Sequence, residues 1–137
     1  MRKILFRGRL TDKSRWVYGC LLNNIYGAVP AIMTGQSVDD AFNLEFEYDH
    51  VEEKTVGQST GLKDKNGKKI FEGDICRNTK TGEIVSVQWH GTMAGFVWSK
   101  RQEKSHLFDF GELFRAYDKY EVIGNIHDNP ELLGGGG

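Results

Sequence analysis

Short runs in which apolar and polar residues alternate, each bounded by a turn, limit most strongly what this chain can fold into. The clearest is NLEFEYDH, whose three apolar and three acidic side chains alternate strictly: Leu44, Glu45, Phe46, Glu47, Tyr48 and Asp49. A period of two is the geometry of a β-strand, in which successive side chains point to opposite faces. The run therefore predicts a strand whose apolar face is packed and whose acidic face lies in water.

Seven other segments have a strand-like composition and are separated by turn residues: RKILFRGRL, RWVYGCLL, YGAVPAIM, GDICRN, GEIVSVQWHG, AGFVWSK and YEVIGNI. In YGAVPAIM, Pro30 lacks a backbone donor and therefore indicates an edge strand or a bend. The first two are joined by TDKS and predict an N-terminal hairpin. Regular spacing of short strands is typical of a small antiparallel barrel or sandwich, so the predicted class is mainly β. Residues 34–41 are predicted as loop, and residues 106–117 fit a helix and a strand about equally.

The chain has 137 residues, the length of one ordinary domain, and such a domain buries roughly two thirds of its unfolded surface. PELL, at residues 130–133, predicts a short C-terminal helix because proline is favoured in the first helical turn. The closing GGGG at residues 134–137 predicts a flexible tail. We therefore expect one domain over residues 1–133.

The stretch LKDKNGKKI predicts a β-hairpin. Asp64 is expected to accept hydrogen bonds from backbone amides of the turn, and Asn66-Gly67 is a dipeptide that readily takes positive φ. Gly73 and Asp74 are predicted as turn residues of the following EGDI. The stretch does not match a Walker phosphate loop or an EF-hand, because a terminal Ser or Thr, a long helix and the necessary carboxylates are missing.

Charges are unevenly distributed along a chain whose formal net charge is −1. Residues 39–53 hold seven acids and neither Lys nor Arg, whereas four lysines crowd the predicted hairpin: Lys63, Lys65, Lys68 and Lys69. Such runs most often keep a solvated edge strand soluble. The functional alternative makes the lysines an anion-binding site. It makes Glu45, Glu47 and Asp49 a surface for a basic partner or for another copy of the chain.

Two tryptophans on neighbouring predicted strands leave two interpretations open. Trp89 and Trp98 either fill the core of the barrel, as tryptophan more often does, or form a stacking platform for bases or a peptide.

Motifs that carry catalysis or metal binding are not found. The four histidines have no HxH, HxxxH or HExxH spacing, and no serine lies in a GxSxG elbow. We therefore expect no catalytic residues, no metal and no cofactor. The start, MRKILFRGRL, is interrupted by charges and lacks a signal-peptide or membrane-spanning segment, which predicts a cytoplasmic protein without membrane contact.

Three blocks of the sequence carry a resemblance to a known family: FRGR followed by WVYG, then VGQSTGLKDKNGKKIFEGDI, then YEVIGNIHDNPELL. In this order they resemble the YopX-like family of phage and prophage proteins. The resemblance implies an N-terminal β subregion, residues 1–54, and an SH3-like barrel, residues 55–133, whose first strand follows EGDI. It also implies a phage or prophage origin in a bacterial host cell, and it supplies no catalytic residues.

Two classes of function follow from these features. The first is a phage accessory protein that binds a protein partner, such as a host factor, or associates with itself through its oppositely charged surfaces. The second is a nucleic-acid or nucleotide binder, able to sequester a nucleotide signal, that uses the basic hairpin and exposed aromatic residues.

Overall fold

The structure is a computed structural model that describes residues 4–23, 29–91, 94–100 and 117–134. These residues form ten strands and one short helix: β1 (Phe6–Arg9), β2 (Trp16–Leu22), β3 (Ala31–Val38), β4 (Leu44–His50), β5 (Gly57–Lys63), β6 (Lys69–Phe71), β7 (Asp74–Asn78), β8 (Ile84–His90), β9 (Gly95–Lys100), β10 (Tyr120–Asn125) and α1 (Glu131–Gly134). All pairings between these strands are antiparallel. The predicted mainly β class and the short C-terminal helix are therefore confirmed.

Some predictions concern residues that the structure describes only in part. The ambiguous segment 106–117 lies outside the described residues except for its last residue, and so does the predicted tail except for Gly134, which ends α1. In the described part of the chain, no helix is long and apolar enough to cross a membrane.

The chain divides into two compact units, Met1–Ser59 and Thr60–Gly137. The subdivision expected from the sequence, between residues 54 and 55, lies slightly earlier and stays a prediction.

In the first unit the strands are hydrogen-bonded in the order β4-β3-β2-β1, and the first residues of β5 pair with β1. The predicted N-terminal hairpin is confirmed, since β1 pairs with β2 from Phe6 opposite Gly19 to Arg9 opposite Trp16. Among the described residues of this unit, Val17, Ile32 and Val51 form a buried core cluster.

Strand β3 extends well beyond β2. The two strands pair only between Cys20–Leu22 and Ala31–Met33, whereas β3 continues beside β4 to Val38. The loop predicted at residues 34–41 is therefore wrong over most of its length, because pairing with β4 holds this polar segment extended. Residues 34–48 form a two-stranded hairpin, here called the β3–β4 arm.

In the second unit the larger sheet has the strand order β10-β7-β8-β9, and β6 pairs with the later part of β5. Among the described residues of this unit, one cluster of buried side chains forms a core: Ile70, Cys76, Val85, Val87, Trp98 and Tyr120. EGDI leads into β7. This antiparallel sheet is compatible with an SH3-like barrel, a finer description that stays a prediction.

Candidate functional site

The β3–β4 arm exposes apolar side chains that the sequence predicted to be packed. Leu44, Phe46 and Tyr48, here called the apolar row, are 52%, 50% and 54% exposed. The expectation that β4 has only one face in water is therefore wrong. The physical reason is that β3 stops pairing with β2 after Met33. Beyond that residue, the described part of the chain provides no third strand beside the arm.

The opposite face of β4 carries Glu45, Glu47 and Asp49, here called the acidic row. Arg15 Nη2 lies 3.8 Å from Asp49 Oδ2, and both side chains are substantially exposed, so water weakens their attraction. Among the described residues, no Lys or Arg nitrogen lies within ion-pair distance of Glu45 or Glu47. This face of the arm is therefore negatively charged.

The backbone of β4 follows the alternation of an antiparallel ladder. At one end the Val51 N–H donates to the Pro30 carbonyl at 3.0 Å, and at the other the Asp39 N–H donates to the Asn43 carbonyl at 3.0 Å. Hydrogen-bonded and non-hydrogen-bonded pairs alternate along such a ladder, so the residues of β4 that exchange hydrogen bonds with β3 are those of the acidic row. The outward-pointing N–H and C=O groups of β4 therefore belong to Leu44, Phe46, Tyr48 and His50. At the His50 end this edge is occupied, because Leu10 bridges Val51 and the Glu52 N–H donates to the Arg9 carbonyl at 2.8 Å.

A tight turn around Asp39 joins the two strands of the arm. The Asp39 carbonyl accepts from the Phe42 N–H at 2.9 Å, and Asp39 Oδ1 accepts from the N–H groups of Ala41 and Asn43, each at 2.9 Å. Hydrogen bonds from Asn43, the backbone N–H first, lower the pKa of Asp39 below its ordinary value. The carboxylate is thus ionised at neutral pH and fixes the turn.

Phe42, at the tip of the arm, combines two unusual properties. Its φ is +63°, in the left-handed region that disfavours bulky residues, and its side chain is 88% exposed. A three-residue hairpin loop of this kind normally places glycine here. Phe42 was not predicted from the sequence, although Asp39 and Asn43 on either side of it are a recognisable turn signal. A strained, exposed aromatic residue is typical of a functional surface.

We expect Phe42→Gly to stabilise the fold by about 1 kcal/mol, because glycine adopts positive φ without strain. Urea unfolding measures the change. Phe42→Ala is the matched control, since it removes the ring and keeps the strain, and it should give no comparable gain. A glycine variant less stable than the alanine variant would contradict this account of the turn.

An open cleft of about 460 Å³ lies where the arm leaves the sheet. It is lined by residues of β3, β4 and the segment before β2: Arg15, Thr34, Phe46, Glu47, Tyr48 and Asp49. Thr34 lies where the β3–β4 register shifts, and its hydroxyl is 3.5 Å from the Glu47 carbonyl. Both rows of β4 thus border one depression, which can receive apolar and positively charged groups together.

The hairpin in the second unit has the turn residues predicted from the sequence. Asp64 is 6% exposed, and its Oδ1 accepts from the N–H groups of Asn66 and Lys68 at 2.8 and 2.9 Å. Its Oδ2 accepts from the Val122 N–H at 2.9 Å, which ties the hairpin to β10. Gly67 has a φ of +82°. Asp64 therefore organises the turn without any ligand.

The next turn is similarly closed by protein groups. Gly73 has a φ of +92°, and Asp74, which is 2% exposed, accepts from the Phe71 N–H at 2.7 Å through Oδ2. These contacts give both residues a structural role at the start of β7.

The four lysines of the predicted anion site, Lys63, Lys65, Lys68 and Lys69, are all exposed. They lie in the second unit and the acidic row lies in the first. The Lys65 N–H donates to the Tyr120 carbonyl at 3.0 Å, so the backbone that carries these side chains is fixed.

The two tryptophans have different environments. Trp98 is 3% exposed and stacks on Tyr120, with ring centroids 4.6 Å apart, so it belongs to the core. Trp89 is 51% exposed and meets Phe96 edge to face at 5.2 Å. A stacking platform formed by both indoles is thus excluded by the burial of Trp98. Among the described residues, no cluster of His, Cys, Asp and Glu is arranged to hold a metal ion.

Comparison with known proteins places the chain in a family. The profile of the YopX protein family matches residues 5–134. A crystal structure of protein EF1440 from Enterococcus faecalis is similar over 97% of this chain and 99% of that one, with a TM-score of 0.66 and 28% identity. No curated protein matches. Because the match covers nearly the whole chain, the protein belongs to the YopX protein family.

Proposed function

We propose that the protein acts by binding a protein partner through the β3–β4 arm, and not by catalysis. The observation that carries the proposal is the exposure of the apolar row on a strand whose outer edge, within the described residues, is open from Leu44 to Tyr48. The wider role that we propose is that of a phage or prophage accessory protein whose partner is a host factor in the bacterial cytoplasm. Membership of the YopX family supports this role.

The stability of the β3–β4 arm favours the binding of a partner. A hairpin of two strands is at best marginally stable in water, and it gains stability when a third strand or another surface covers its apolar face. Val38, Phe42 and the apolar row are all at least half exposed. A partner that covers them removes a contiguous apolar surface from water, which is favourable in proportion to its area.

The acidic row determines the kind of partner. Three carboxylates on one strand, with a single nearby arginine among the described residues, favour a positively charged surface and repel phosphate groups. We therefore propose a basic protein partner and rank it above nucleic acid for this arm.

The test compares proteins captured from bacterial lysate by the tagged chain and by two variants. The acid variant carries Glu45→Gln, Glu47→Gln and Asp49→Asn. The lysine variant, its matched control, carries Gln at the four hairpin lysines. We expect a protein held by the native chain to be lost from the acid variant, at least about tenfold by quantitative mass spectrometry, and retained by the lysine variant. Retention by the acid variant and loss from the lysine variant would refute the proposal.

Nucleic-acid or nucleotide binding is a second candidate, favoured by the four exposed lysines on one fixed turn. If it occurs, the affinity for a labelled oligonucleotide should fall with log salt at a slope of about −0.7 per neutralised phosphate. Binding should disappear in the lysine variant and persist in the acid variant. A native protein that binds no oligonucleotide at low salt eliminates polynucleotide binding.

A further inference from the structure

We infer that the free edge of β4 accepts an extended segment of the partner as an additional antiparallel strand, in which basic and apolar side chains alternate. This inference rests on the proposed function, because it takes β4 as the surface where the partner binds. It adds the mode of binding and the sequence pattern of the segment.

The first support is the backbone. Leu44, Phe46 and Tyr48 point their N–H and C=O groups away from β3, as the hydrogen bonds at both ends of the ladder require. Beyond Tyr48 the edge is taken by the chain itself, since Leu10 bridges Val51 and the Glu52 N–H donates to the Arg9 carbonyl. An incoming strand would satisfy the open groups from Leu44 to Tyr48, which is the source of affinity when a peptide is added to a sheet edge.

The second support is the side-chain register. In an antiparallel pair, residues directly opposite each other have side chains on the same face. Residues of the added strand opposite Glu45 and Glu47 therefore lie beside carboxylates, where Lys or Arg is favoured. Residues opposite the apolar row lie beside Leu44, Phe46 and Tyr48, where apolar side chains are favoured. The geometry thus specifies a segment in which basic and apolar side chains alternate.

A second copy of the chain is a poor occupant of this edge. If two β4 strands pair through their outward groups, residues of the acidic row face one another in every register, and like charges opposite each other are destabilising. Strand β6 of another copy is also unsuitable. It spans only Lys69–Phe71, and its Phe71 N–H already donates to Asp74.

The experiment uses a capped five-residue peptide in which Val and Lys alternate, beginning and ending with Val. Its three valines match Leu44, Phe46 and Tyr48, and its two lysines match Glu45 and Glu47. Only the valine N–H groups should point toward β4. N-methylation of the valine amides should therefore weaken binding to the native protein by at least about tenfold, whereas methylation of the lysine amides should leave the affinity within about twofold.

Amide hydrogen exchange of the full chain gives an independent readout. Without peptide, the amides of Leu44, Phe46 and Tyr48 should exchange quickly and those of the acidic row slowly. Saturating peptide should slow the exchange of the Leu44, Phe46 and Tyr48 amides. Outward amides that are already protected in the free protein, by another part of the chain or by a second copy, would overturn the inference.

The outcomes separate the mode of binding from the proposed function. If both methylated peptides bind equally and the acid variant loses binding, β4 is the binding surface but strand addition is wrong. If the acid variant binds the peptide as well as the native protein, the site is elsewhere and both statements fail. The inference is also overturned if binding is lost only when the lysine amides are methylated, or if the unmethylated peptide shows no saturable binding.

Discussion

Gly19→Ala is expected to lower the free energy of unfolding by at least about 3 kcal/mol. A Cβ atom at position 19 would lie 1.9 Å from the carbonyl oxygen of Met33, a backbone atom that cannot turn aside as a side chain can. Relief requires β2 and β3 to separate at the point where their short ladder ends. Because β3 carries β4, the same substitution should also disturb the binding surface.

Urea unfolding monitored by tryptophan fluorescence measures this loss. The matched control is Gly91→Ala, since a Cβ there meets no atom within 4 Å, and we expect a change within about 0.5 kcal/mol. If Gly19→Ala unfolds at the same urea concentration as the control, the close approach of β3 to Gly19 is wrong.

Asp64→Ala is expected to cost about 3 kcal/mol, because it leaves three N–H groups without their acceptor. These belong to Asn66, Lys68 and Val122, and the carboxylate that receives them is buried. Both the turn and its attachment to β10 depend on this one side chain. Asp64→Asn keeps an acceptor oxygen and should lose less stability.

Asp40→Ala makes the same chemical change at an exposed position and is expected to stay within about 0.5 kcal/mol of the native protein. Equal stability of the Asp64 and Asp40 variants would show that the turn does not depend on the buried carboxylate.

Local patterns predicted most of the strands. The strict alternation of residues 44–49 indicated β4, and Asn66-Gly67 after Asp64 indicated the hairpin, because both depend only on neighbours in sequence. Burial was not predictable in the same way. The apolar row has the pattern of a half-buried strand, yet β2 does not continue beside the arm, so the row is exposed.

The candidate site was predicted in part. The acidic row was identified as a surface from its charges alone, since no Lys or Arg interrupts residues 39–53. The outward edge of β4 and the exposed Phe42 were not, because strand order and a single positive φ depend on tertiary structure. The burial of the two tryptophans was also not predictable from the sequence. Both lie in apolar patterns, but only Trp98 is buried.

Site-specific photocrosslinking tests most directly whether the β3–β4 arm is the binding surface. Benzoylphenylalanine replaces Phe46 in one protein and the similarly exposed Trp89 in another, and each is irradiated with the protein that the native chain captures. We predict a crosslinked complex from position 46 that disappears when the acid variant's substitutions are added, and none from position 89. A crosslink from position 89 with none from position 46 would contradict the account.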